Sequence, residues 1–166
     1  MKSTSTPNRS WSFRAIKGRI AESLVEELFR KQGYKVFHFG MEKQLPGIIE
    51  LLQGVKTETA KQIRTMPDYV IQHPKSKEVH LVEVKYRAKG DFCFEDIKSD
   101  YPYENAFFVV VSKKHIKCLG YLELKAGLKI TALSRNYLHN RAEFETDREI
   151  IKEFCGFAVS FFKGVE

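Results

Sequence analysis

Apolar residues recur at helical spacing across residues 13–32, where Ile16, Ile20, Ala21, Leu24, Val25, Leu28 and Phe29 share one arc and Gly33 follows as a stop. The spacing predicts a long amphipathic helix. After Gly33 the pattern shortens, and residues 34–39, 68–72, 79–86, 106–112 and 118–124 read as strands. His73-Pro74-Lys75-Ser76-Lys77 has the Pro and polar turn chemistry to join residues 68–72 to 79–86 as an antiparallel hairpin. The second of these strands is apolar on both faces at its start, which predicts an interior position in a sheet. At the end of the chain Thr146-x-x-Glu149 reads as a capping box. It opens a helix through Ile150, Ile151, Phe154, Phe157, Ala158, Phe161 and Phe162, which covers the sheet or forms a dimer face. Its aromatic stripe reads as core, not as a cofactor box.

Within this frame the hairpin carries unusual charges. Glu83 and Lys85 stand two apart in a strand, so their side chains leave the same face. A turn centred on Lys75 and Ser76 places Asp68 directly across from Glu83. Opposed residues have Cβ atoms about 4.5–5.5 Å apart, and two bare carboxylates at that distance repel unless a cation lies between them. A slip of one residue would send Asp68 to the other face. On the first helix, Glu22 falls about 20° from Phe29, at the border of the apolar arc, and Glu26 lies about 40° further toward the polar side, suited to solvent or Arg30. Gly18, one turn before Glu22, offers room for close approach.

Gly18-x-x-x-Glu22 on a first helix, Gly33-Tyr34-x-Val36 opening a strand, then Pro67-Asp68 and Glu83-x-Lys85, resembles the PD-(D/E)xK nuclease superfamily, most of all its Holliday junction resolvase and restriction-endonuclease-like branches. The resemblance spans about half the chain, residues 14–89. It implies an α/β fold with a restriction endonuclease-like core, a mixed central sheet flanked by helices. It further implies that Asp68 and Glu83 ligate Mg2+, for which Mn2+ can substitute, together with the backbone carbonyl of Val84. Glu22 is then an outer-sphere or second-metal ligand, and Lys85 positions or activates the attacking water. Orienter and general base both remain open for Lys85. Many relatives carry a Gln or a basic residue on a helix after the Glu-x-Lys strand; residues 92–105 offer Glu95, Asp96, Lys98 and two tyrosines instead, with a poor helix signal.

Composition agrees with a polyanionic partner. The chain has 166 residues, the size of one domain, with 28 Lys and Arg against 21 Asp and Glu, a formal net charge of +7. Arg87 and Lys89 follow the Glu-x-Lys strand, and Lys113, Lys114 and Lys117 form a second basic group, all candidate phosphate contacts. Three cysteines and five histidines are scattered, without zinc or disulfide spacing, which points to a reducing, cytoplasmic setting. No run approaches transmembrane length, and no apolar signal core is expected near Met1. Residues 1–12 read as a flexible arm and residues 13–166 as a single nuclease-like domain, with an insertion around residues 41–65 that is helical in part from residue 48 to 54. The expected function is a metal-dependent DNA endonuclease, junction-resolving or restriction-like, acting as a homodimer. The alternatives are a silent nucleic-acid-binding module of the same fold and a nuclease acting on RNA.

Overall fold

The computed structural model describes residues 9–40 and 47–164; residues 1–8 of the expected arm and residues 41–46 of the expected insertion lie outside them. Five strands form one open sheet: β1 (Lys35–His38), β2 (Tyr69–Gln72), β3 (Val79–Tyr86), β4 (Ala106–Val111) and β5 (Ile116–Gly120), in spatial order β1-β2-β3-β4-β5. Only β3 and β4 pair in parallel; every other neighbouring pair is antiparallel. β3 is therefore the central strand, as its two-sided apolar start predicts. The helices are α1 (Arg9–Lys31), α2 (Ile48–Leu51), α3 (Glu58–Arg64), α4 (Tyr121–Lys125) and α5 (Arg148–Phe162), joined by short 3-10 turns η1 (Phe94–Asp96) and η2 (Leu138–Asn140). The architecture is α/β with a mixed sheet and helices.

Alternation along the strands divides the core into two layers. Tyr69, Ile71, Val82, Val84, Val109 and Val111 face α1 and α5, where Ala21, Val25, Leu28, Phe29, Ala158 and Phe162 are buried against them. Phe108, Val110 and Leu81 face the other way, onto Phe92, Tyr101, Tyr121, Leu124 and Ile130. The parallel step from β3 to β4 requires a crossover. Residues 87–105 supply it, with η1 in place of a full helix, and they cover the second face beside Glu83 and Lys85.

Three elements differ from the pattern in the sequence. α1 begins at Arg9, four residues ahead of the periodic stripe, because elongating an established helix adds one backbone bond per residue and needs no apolar side. Residues 121–124 are helical instead of continuing a strand. There the Glu123 carboxylate accepts from the N–H of Gly120 at 2.7 Å and starts α4. The cap of α5 is Asp147, not Thr146: Asp147 Oδ1 accepts from the N–H groups of Glu149 and Ile150 at 2.7 and 3.3 Å. A carboxylate there also complements the helix N-terminus. Among the described residues no helix is long and apolar enough to cross a membrane.

Candidate active site

β2 and β3 pair with Tyr69 opposite Val82 and Gln72 opposite Val79. Continuing that register by one residue sets Asp68 opposite Glu83, as a turn centred on Lys75 and Ser76 requires. The turn is closed by His73, whose N–H donates to Glu78 O at 2.9 Å and whose ring Nδ1 accepts from the N–H groups of Lys75 and Ser76, each at 3.1 Å. His73 is thus a buried structural residue, not a ligand.

Asp68 sits at the mouth where β2 parts from β3. Its own carbonyl accepts from Phe39 N at 3.0 Å, which ties it to the end of β1. Its Oδ2 accepts from the backbone N–H of Val84 at 2.8 Å, so the carboxylate takes the place that β2 backbone would have filled. In a strand the N–H and C=O of one residue leave the same edge. The Val84 carbonyl is therefore directed toward the same gap. Burial pushes the Asp68 carboxyl up to about 7, with the neighbouring Glu83 carboxylate next in effect and Glu22 after it; the Val84 N–H and Lys85 act in the opposite sense. Buried at the fork of the sheet, Asp68 gives up its proton less readily than a solvated carboxyl.

Glu83 and Lys85 share the face opposite Val82 and Val84, and Lys85 Nζ donates to Glu83 Oε1 at 2.5 Å. Both side chains are largely buried, 14% exposed for Glu83 and 32% for Lys85. They open onto a cleft of about 240 Å³ whose wall also holds Arg64, Arg87, Lys98 and Tyr101. Arg64, at the C-terminal end of α3, is braced by bonds from its guanidinium to Leu52 O at 3.0 Å and Val55 O at 2.8 Å. Arg87 donates to Tyr86 O at 3.0 Å and lies over the Phe92 ring. Tyr101 is only 8% exposed, and its hydroxyl is buried with no hydrogen-bond partner among the described residues. Burial raises the Tyr101 hydroxyl above its ordinary range, and the Glu83 and Asp68 carboxylates raise it further. An orphaned donor beside two carboxylates is suited to an oxygen that arrives with a ligand.

The other site residues expected from sequence are placed unevenly. Glu22 belongs to α1, which packs on the Val82 and Val84 face of the sheet, and its charge acts on Asp68. Tyr69 Oη donates to the backbone carbonyl of Glu22 at 3.1 Å and fixes that turn of the helix. Among the described residues no group of three or more His, Cys, Asp or Glu is gathered as a metal cluster. Of the two settings its helical angle allows, Glu26 takes the pair with Arg30 and not open solvent. It bonds Arg30 at 2.9 Å and lies 3.3 Å from His38 Nε2, because β1 packs against that flank of α1. Burial opposes ionisation of Glu26, but the Arg30 bond and the His38 and Arg30 charges prevail and hold its carboxyl below the usual range. At Gly18 an added Cβ would meet nothing within 4 Å among the described residues.

Of the basic candidates, Arg87 lines the cleft, whereas Lys89, Lys113 and Lys114 do not. Lys113 and Lys114 lie in the turn between β4 and β5, near Gly90, at the same end of the sheet. Lys117 lies inside β5 and is buried, with Nζ bonded to Thr131 O at 2.6 Å and Ala132 O at 3.1 Å. It holds a loop and is removed from any surface contact. Arg64, Lys98 and Tyr101 were not legible as cleft residues, since only the crossover and the packing of α3 bring them to Glu83. Cys93, Cys118 and Cys155 are all free thiols.

No protein-family model, no curated protein and no solved structure matches this chain.

Proposed function

We propose that this chain is a Mg2+-dependent DNA endonuclease of the restriction endonuclease-like fold, hydrolysing phosphodiester bonds in a junction-resolving or restriction-like manner. The observation that carries the reading is the Asp68 carboxylate, held by the Val84 N–H across from Glu83, with Lys85 on Glu83 and a basic cleft beside them.

The donor set fits a hard divalent cation. Asp68 Oδ2 is engaged by Val84 and Glu83 Oε1 by Lys85, which leaves one oxygen on each carboxylate without a donor among the described residues. Those two oxygens, with the Val84 carbonyl directed into the same gap, would hold the ion, and Glu22 would contribute through water. Bound there, Mg2+ lowers the pKa of its water and shields phosphate charge. Burial first, and the Glu83 and Glu22 charges after it, hold the Asp68 carboxyl up to about 7, and a cation beside it would favour the ionised form.

The chain's own side chains account for the rest. Arg64, Arg87 and Lys98 draw a phosphodiester into the cleft, each as a positive wall residue. The Lys85 ammonium, fixed by Glu83, places positive charge where negative charge develops on the phosphoryl oxygens. The Tyr101 hydroxyl donates to a phosphate oxygen and so gains the partner it lacks. Free thiols and a nucleic-acid substrate go with a cytoplasmic site of action.

A panel of four-way junction, flap, linear duplex, single-stranded DNA and RNA, each in Mg2+ and in EDTA, tests the reading. Cleavage of a DNA member in Mg2+ alone supports it. Cleavage of RNA only would reassign the substrate, and binding without cleavage of any member would make the chain a silent module.

A further inference from the structure

α1 and α5 run antiparallel on the outer side of the sheet. Lys31 Nζ meets Glu153 at 2.5 Å near one end, while Lys17 and Phe162 both meet the Tyr86 ring at the other. Between the helices lies a groove of about 610 Å³ whose floor is formed by Ile20, Leu24, Phe154, Phe157 and Phe161. Its apolar residues are unusually open: Ile16 is 50% exposed, Phe157 41% and Phe161 59%. A contiguous apolar strip of this kind on a basic protein marks a surface that is covered in use.

The charges on the groove decide what covers it. Arg19 and Glu27 stand on its α1 side with Ser23 midway between them. Neither Arg19 nor Glu27 has an ion-pair partner among the described residues, although Glu26, Arg30, Lys31 and Glu153 on the same two helices are all paired. The two charges are of opposite sign and equidistant from Ser23, about 6 Å on either side along the helix axis. A second α1 laid antiparallel about a two-fold axis through Ser23 therefore sets Arg19 of each copy against Glu27 of the other. Ser23, small and exposed, sits at the point of closest approach. The same operation apposes the two apolar floors. A lipid surface would call for a basic rim; this rim is neutral and self-complementary.

We propose that the α1 and α5 groove is an isologous dimer interface occupied by a second copy of this chain, with Ser23 on the axis and two reciprocal Arg19 to Glu27 pairs closing it. In a two-fold dimer every substitution acts twice. Arg19→Glu thus creates two like-charge contacts, and so does Glu27→Arg, whereas the two together restore both pairs with reversed sign.

Sedimentation velocity on the full chain across a concentration series, without nucleic acid or metal, reads this directly and stands apart from the nuclease reading. The wild type is expected to pass from monomer to dimer, with each single charge reversal weakening association by at least ~10-fold and the double reversal recovering most of it. Phe161→Glu, on an exposed position that leaves the core intact, is expected to abolish the dimer. A wild type that stays monomeric at every concentration, or that floats with lipid vesicles instead of dimerising, overturns the proposal. So does a dimer indifferent to both single reversals, or a double variant no better than the singles.

Discussion

The backbone N–H of Val84 donates to Oδ2 of Asp68 at 2.8 Å, across the point where β2 stops and β3 continues. One oxygen of the carboxylate is thereby fixed on the central strand while the other is left beside Glu83. Removing the side chain should remove the cation site. Isothermal titration of Mn2+ is expected to show binding by the wild type that strengthens when a DNA phosphate is present, and none by Asp68→Ala. Equal heats for the two proteins would sink the assignment.

Asp68 also sets a pH dependence of stability. Its ordinary value is 3.8, and burial with Glu83 and Glu22 raises it to about 7 in the folded chain. Between those values the folded state holds a proton that the unfolded state has lost, so stability falls as pH rises through this window and levels off above it. Asp68→Asn removes the penalty. Thermal melts in EDTA are expected to show the variant more stable than wild type by at least ~3 °C near pH 8, with the advantage fading near pH 4. A constant difference at all pH values would show that ionisation of Asp68 is not the cause.

Lys85 and the cleft arginines divide chemistry from binding. Lys85→Ala is expected to lower the cleavage rate by at least ~10²-fold with little change in DNA affinity, because its charge acts on the transition state. Arg64→Ala, Arg87→Ala and Lys98→Ala should instead weaken affinity and flatten its dependence on salt. Single-turnover cleavage beside filter binding over a salt series separates the two, and a Lys85→Ala enzyme cutting at the wild-type rate would refute its role.

Tyr101 offers a cleaner test of the cleft, since Tyr101→Phe deletes one orphaned hydroxyl and leaves the ring against Phe108. Stability should hold or rise slightly, because a buried unpaired polar group is lost. Cleavage should fall by about 10-fold if the hydroxyl meets a phosphate oxygen in the transition state. Unchanged cleavage would leave Tyr101 a packing residue.

Glu22 and Glu26 differ in what they touch. Glu26 is held by Arg30, His38 and Tyr69, so Glu26→Gln is expected to lower stability by about 1 kcal/mol. Glu22 acts on Asp68 by charge, and Glu22→Gln should depress Mg2+-supported cleavage far more than Glu26→Gln does. If the two variants have the same activity, the site reduces to Asp68, Glu83 and Lys85.

The sequence alone was enough for whatever depends on neighbours along the chain. Helical spacing from Ile16 to Phe29 predicts α1, and the turn chemistry of residues 73–77 predicts the hairpin register, because a tight turn leaves few ways to pair its two strands. From that register follows the facing of Asp68 and Glu83, and from strand alternation the common face of Glu83 and Lys85. Other features needed the tertiary structure. The partly buried setting of Glu26 arises where β1 crosses α1, and helical angle carries no record of a strand packed from elsewhere. Lys117 appears as one more surface lysine until Thr131 and Ala132 fold over it. The cleft itself is assembled from α3, β3 and the crossover, with Arg64, Lys85 and Tyr101 brought together from segments far apart in sequence. Such contacts are paid for collectively by burial of two apolar layers, a long-range cooperative effect, so no local pattern announces them.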